Sequence, residues 1–318
     1  MPEQKLHPQA QQVCDLIVAS GRPPIETLTP PQARQAYLAS RAILQPEAEA
    51  VAEVLPLSAT GPHGPIPLRY YRGNGVDKGR PQPALVYFHG GGWVIGDLES
   101  HDQVCRAVAN AIPAIVVAVD YRLAPEHKFP AAVEDAIAAT RWIADNAERH
   151  GIDAGRLAVA GDSAGGNLAA VVALDARDHG GPRLVHQVLI YPGTDMRMGW
   201  PSLERHAQQL PLTRAGMQWF VGHYLCNDAD KLDWRASPLM AASLASLPPA
   251  LIITAGFDPL CDEGEAYAEA LRKAKVAVEL ARFEGQIHGF LNMGRIIADA
   301  GRAVATVAAA LRGSFKLA

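Results

Sequence analysis

Five consecutive residues, Gly161-Asp162-Ser163-Ala164-Gly165, set a serine between glycines two places to either side. They follow the apolar run 156–160 and lead into a helical run from Ala164, the strand–turn–helix setting that a nucleophilic serine needs. A serine is tolerated at so sharp a turn only when the residues two before and two after lack side chains, and its hydroxyl is then exposed. The helix behind it aims backbone N–H groups and the positive end of its dipole at any charge that develops there. The chemistry this arrangement serves is acyl transfer. The plainer reading of the same residues is a glycine-rich turn with an incidental serine.

His89-Gly90-Gly91-Gly92-Trp93 follows the apolar run 84–88. Three successive glycines let a backbone approach a ligand closely and turn its N–H groups toward an oxyanion, which would supply the second half of an oxyanion hole. A phosphate-cradling loop is disfavoured, because no GK[ST] follows and the chain has no GxGxxG. A flexible turn without a ligand stays open at this point.

The elements that must position these residues alternate. Short apolar runs at 84–88, 114–120, 156–161, 184–191, 250–256 and 276–283 read as strands, and 130–150, 164–177, 263–274 and 294–311 between and after them read as helices. In the last of these, Ile297, Val304 and Leu311 recur every seven residues. That alternation predicts the α/β class, a mostly parallel sheet covered by helices, with 51–57 and 68–72 as antiparallel edge strands. Residues 1–50 look helical with proline breaks and are expected to form an N-terminal cap segment, with the catalytic domain spanning 51–318. The interval 192–249 is too long for an ordinary crossover, and a cap insertion is expected at about 194–240, where Met217, Trp219, Phe220 and Tyr224 lie on a helical stretch.

Composition narrows the field. The 318 residues carry a net charge of −4 and are 49% hydrophobic, which gives no electrostatic reason to hold nucleic acid and predicts a globular chain. The longest apolar stretch, 111–119, is nine residues with Pro113 inside it, too short for a membrane span. No signal-peptide core precedes the domain, so a cytoplasmic location is expected. Cys14, Cys105, Cys226 and Cys261 are widely spaced, with no CxxC pair and no histidine in metal spacing, and read as reduced thiols. No metal site is expected.

With both motifs in place, the sequence resembles the hormone-sensitive-lipase-like family of α/β-hydrolases, including its bacterial carboxylesterases. His89–Trp93 looks like that family's HGGGW element, Gly161–Gly165 like its GDSAG elbow, and Tyr121-Arg122-Leu123-Ala124-Pro125-Glu126 like its YRLAPE stretch. Asp258-Pro259-Leu260 and His288-Gly289-Phe290 look like its DPL and HGF elements. The resemblance implies an eight-stranded α/β-hydrolase sheet with a helical cap and a Ser163–Asp258–His288 triad. It also implies oxyanion donors at the Gly91, Gly92 and Ala164 amides. Chemistry agrees, since a serine hydroxyl needs an imidazole to take its proton and the imidazole needs a carboxylate to fix its tautomer. Both late residues fall beyond the carboxyl ends of predicted strands, where open α/β sheets place their ligands.

His89 is expected to brace the glycine loop beside Gly90, with Glu126, Asp162 and Asn167 tying loops around the elbow. Asp262 and Glu263 read as a solvated helix start, Cys261 as packing, and Trp93 and Phe290 as candidate walls of an acyl pocket. The expectation is a cofactor-free serine carboxylesterase acting on small-molecule esters of short to medium acyl length. It includes a homodimer through a sheet edge, for which 276–283 is the candidate. An amidase or lactonase on the same triad, or a non-catalytic binding protein on the same scaffold, are the rival readings.

Overall fold

The structure, a computed structural model, describes residues 5–317. Its centre is one eight-stranded sheet. The strands are β1 (Glu53–Gly61), β2 (Gly64–Arg72), β3 (Gln82–Phe88), β4 (Ile115–Val119), β5 (Ile152–Asp162), β6 (Leu184–Ile190), β7 (Ala250–Phe257) and β8 (Val278–Ile287). They lie in the order β1-β2-β4-β3-β5-β6-β7-β8. Every neighbouring pair from β4 to β8 is parallel, while β1 and β2 form an antiparallel hairpin that joins β4 antiparallel. The mostly parallel α/β sheet expected from the alternation is the one observed.

Parallel strands need crossovers, and helices on the two faces supply them. Strand residues alternate between two cores: Ala84, Val86 and Phe88 of β3 face one, Leu85 and Tyr87 the other. On the first face lie α4 (Ala131–Asp145), α5 (Ala164–Asp178) and α8 (Cys261–Lys273); on the second lie α3 (Asp102–Ala111) and α9 (Asp299–Phe315). α1 (Pro8–Ala19) and α2 (Pro30–Leu44) precede the sheet. α6 (Pro201–Arg205) and α7 (Arg214–Tyr224) occupy the long interval between β6 and β7.

Several boundaries differ from the sequence reading. The hairpin strands are longer than expected, because Gly61 and Gly64 pair across a tight turn and extend the ladder. β8 runs on to Ile287 and so delivers the next residue, His288, directly at a strand end. The last helix begins at Asp299, since 290–297 form turns first, and its buried face is Ala303, Val307 and Leu311 rather than a seven-residue repeat. Helix α3 was not anticipated: its one-sided stripe of Val104, Cys105 and Val108 is short and broken by Arg106.

Candidate active site

Ser163 sits between β5 and α5 with φ +56° and ψ −116°, a left-handed conformation that only the surrounding structure can hold. Its N–H donates to the Ile190 carbonyl at 2.8 Å. The flanking glycines are steric requirements. A Cβ on Gly165 would lie 1.9 Å from the Phe88 carbonyl oxygen, and one on Gly161 would lie 2.3 Å from the Gly165 carbonyl. Chain segments pass so close around the serine that these two positions admit no side chain.

The other two residues arrive from adjacent strand ends. Asp258 follows β7 and His288 follows β8. His288 Nδ1 lies 2.7 Å from Asp258 Oδ2, and its Nε2 lies 2.9 Å from Ser163 Oγ. Asp258 is fully buried, and its other oxygen accepts the Leu260 N–H at 2.8 Å. A carboxylate facing Nδ1 keeps the proton there and leaves Nε2 as the acceptor for the serine proton. Such a line can activate a hydroxyl for attack on a carbonyl carbon.

Opposite the serine, Gly91 (φ +124°) and Gly92 (φ +57°) turn the loop after β3. The Gly91 carbonyl accepts the Val94 and Ile95 N–H groups. Among the described residues, the N–H groups of Gly91 and Gly92 find no protein acceptor. Ala164 opens α5, so its N–H belongs to the first turn, where no intrahelical acceptor exists.

One buried carboxylate fastens this loop to the elbow. Asp162 accepts hydrogen bonds from the Tyr87 hydroxyl (2.8 Å), the Gly90 N–H (3.0 Å) and the Asn292 amide (3.3 Å), and lies 3.3 Å from His101 Nε2. Burial alone would raise its pKa, but the His101 imidazole and the Tyr87 hydrogen bond hold it at about 2. His89 stacks on Tyr121 at 4.3 Å, and its Nδ1 lies 2.8 Å from the Gly90 carbonyl oxygen. Burial, with His101 nearby, lowers its pKa to about 4, so it is neutral and suited to bracing. Asn167 donates to the Gly193 and Ala236 carbonyls, tying α5 to the loops beyond β6.

A cavity of about 570 Å³ opens at Ser163 and His288. Its wall is mainly apolar and includes Trp93, Ile25 and Leu28 before the sheet and Met217 and Phe220 on α7. Trp93 lies on this wall, stacked on Tyr224 at 4.3 Å. Phe290 does not: its ring is fully buried against Tyr191 and Phe283 in the other core, which corrects the pocket role read from its place after His288. Glu126 ties a different pair of elements than expected, pairing with Arg34 of α2 at 2.6 Å, and that hydrogen bond holds its carboxyl at about 2.

Asp262 accepts the Ser202 N–H and pairs with Arg205, so it is no substitute for Asp258. Glu263 is not solvated. It is buried on the cavity wall, accepts the Thr194 and Asp195 N–H groups, and burial raises its pKa well above the carboxylate range. Cys261 is buried, as a packing residue would be. The sequence reading missed His101, Asn292 and the bracing role of Tyr121. Asn292 lies four residues after His288, a spacing that could have drawn notice.

A glycine loop with N–H groups free among the described residues and an elbow serine hydrogen-bonded to a histidine, on such a sheet, are the features of a serine hydrolase of the α/β-hydrolase type. The family model for the alpha/beta hydrolase fold matches residues 85–292. The chain belongs to that family, in its hormone-sensitive-lipase-like carboxylesterase branch. It is 48% identical over 268 residues to a carboxylic ester hydrolase of Mycobacterium tuberculosis, covering 80% of this chain and 70% of the other. It is 41% identical over 293 residues to an ethyl acetate hydrolase of Pseudomonas putida, covering 91% and 92%. Among solved structures, an ester-hydrolase from the metagenome of Lake Arreo superposes with a TM-score of 0.94 at 43% identity, over 98% of this chain and 99% of that one.

Proposed function

We propose that this carboxylesterase hydrolyses short- to medium-chain acyl esters through an acyl-enzyme on Ser163. Ser163 Oγ attacks the ester carbonyl carbon as His288 Nε2 takes its proton, with Asp258 holding the imidazole and stabilising its charged form. The oxyanion falls to the Gly91, Gly92 and Ala164 amides. His288 then gives the proton to the alkoxide oxygen as the carbonyl–oxygen bond breaks and the alcohol leaves. Water repeats the sequence: His288 takes one of its protons, the hydroxide oxygen bonds to the acyl carbon, and the proton returns to Ser163 as the acid departs.

The observation that carries this reading is the unbroken hydrogen-bonded line from Asp258 through His288 to Ser163, at 2.7 and 2.9 Å. All three side chains being within reach also speaks against a binding protein that has lost its chemistry. His89, Gly90 and Asp162 act as braces and Trp93 as a wall of the acyl pocket. We read α1–α2 and about 194–240 as a cap over the site, a reading supported by the Ile25, Leu28, Met217 and Phe220 contributions to the cavity wall. Among the described residues no helix is long and apolar enough to cross a membrane. The four free cysteines favour a cytoplasmic setting. The β8 edge is our candidate for homodimer pairing, which light scattering would test.

The function is tested with p-nitrophenyl esters of increasing acyl length on wild type and Ser163→Ala. A burst and turnover that vanish in the variant, and that are strongest at short chains, are expected. No turnover on any ester by folded wild type would shift the assignment to an amidase or a binding protein.

A further inference from the structure

The charged side chains on the cavity wall are accounted for, with one exception. Asp195 is held by Arg197 at 2.7 Å and by the Trp200 indole N–H, and Asp162 has its full set of donors. Glu263 binds two amides in a setting that favours its neutral form. Arg22 and Glu26 are exposed to water. Arg41 of α2 is only 7% exposed, yet among the described residues it pairs with no carboxylate.

Its guanidinium lies 5.5 Å from the Tyr37 ring centroid. Nε donates to Gln45 Oε1 at 3.2 Å and Nη2 to Asn292 Oδ1 at 3.3 Å, while Nη1 is buried without a partner. Both bonds go to neutral amides and are long beside the roughly 2.7–2.9 Å of a guanidinium–carboxylate pair. A guanidinium taken out of water with no carboxylate in direct contact, its link to Asp162 running only through the Asn292 amide, is under-compensated until a carboxylate reaches it.

We propose that Arg41 is the anion-recognition point of this cavity, and that the preferred substrates are esters carrying a carboxylate. The proposal rests on the ester-hydrolase reading above. Position supports it: Asn292 also donates to Asp162, so two hydrogen bonds of 3.3 Å each separate Arg41 from the residue next to Ser163. Ser163 and Arg41 line the same cavity, which gives a small molecule a place for its ester at one and its charge at the other. Arg41 is the only buried arginine or lysine on this wall among the described residues, which suits one singly charged carboxylate better than a phosphate dianion.

The test compares charged and neutral partners of matched size. Monoethyl glutarate against ethyl pentanoate puts the carboxylate on the acyl arm; 4-acetoxybutanoate against butyl acetate puts it on the alcohol arm. Wild type is expected to favour the charged member in one arm by about tenfold or more in kcat/KM, through KM. Arg41→Met should remove that preference, losing more on the charged ester than on the neutral one, and Arg41→Lys should keep part of it.

A wild-type ratio at or below one in both arms overturns the proposal, as does an Arg41→Met variant that loses both members equally. Ser163-dependent turnover of the neutral esters keeps the ester-hydrolase reading intact in either case. Should Arg41→Met not fold, inhibition of p-nitrophenyl acetate hydrolysis by wild type decides the matter. Glutarate inhibiting competitively at lower concentration than pentanoate, which carries the same head carboxylate but no second charge, supports the proposal, and equal or weaker inhibition overturns it.

Discussion

The two walls around Ser163 are built in opposite ways. On the sheet side, every residue of β3 and β4 is buried, as is every residue of α5 from Ala164 to Leu174. On the helical side, α1 buries only Ala10, Val13 and Cys14, and α2 only Ala33 and Arg41, while Leu16, Val18, Leu38 and Ile43 stand exposed. Dense packing holds the serine, histidine and glycine loop in one arrangement, as orientation-dependent catalysis requires. The cover is fastened by a few polar clasps. Arg34 is the chief of these, reaching Glu126 and the Val94 and Ala124 carbonyls. Rate should therefore be set on the sheet side and substrate selection on the cover.

Four substitutions and titrations would break or sharpen that contrast. Ser163→Ala should lower kcat by about 10⁴–10⁶ with the fold intact by circular dichroism. Gly91→Ala comes next, because its Cβ would lie 2.1 Å from the Ile95 carbonyl oxygen at φ +124°. Displacing that loop should cost about 10²–10³ in kcat with little change in KM, and steady-state kinetics reads both. Arg34→Ala should raise KM several-fold and leave kcat within about a factor of three. If it lost as much kcat as Gly91→Ala, the division between the two walls would be wrong.

The smallest effect is on stability against pH. Burial lowers the pKa of His89 and of His186 to about 4, from 6.5. Between those values each of these imidazoles binds more protons in the unfolded chain than in the folded one, so its share of stability falls as pH falls through that window, while the carboxyls of Glu263 and Asp120, raised by burial, act in the opposite sense. The low carboxyls of Asp162 and Glu126 add their loss only further down, toward about 2. From about pH 7 to pH 5 the Tm of wild type should fall relative to that of His186→Gln. A difference between the two that stays constant over that range would show that His186 is not held neutral.

What could be read from the residues follows the same division. The elbow and the glycine loop were legible because close backbone approach leaves glycine no substitute at 161 and 165, and because apolar runs mark central strands without ambiguity. Asp258 and His288 came through family resemblance, and β8 running to Ile287 explains why a residue beyond the expected strand end lands at the serine. Phe290 misled because its nearness to His288 along the chain says nothing about face: the turn after Gly289 sends its ring into the opposite core. Glu263 misled because a helix-start carboxylate is ordinarily solvated, and only the fold brings the Thr194 and Asp195 amides to it. Arg41 left no signal at all, since neither its lack of a directly paired carboxylate nor its link to Asn292 has a trace in local sequence.

The Asp162 hub bears on how far this machinery can be transplanted. The residue beside Ser163 answers to Tyr87, Gly90, His101 and Asn292, drawn from three separate stretches of chain. Grafting the five elbow residues onto another sheet would carry over the turn but strand an ionised carboxylate in a dry interior. The unit of exchange, for a protein engineer or for recombination between relatives, is therefore the set of five contributors rather than the short motif that announces it.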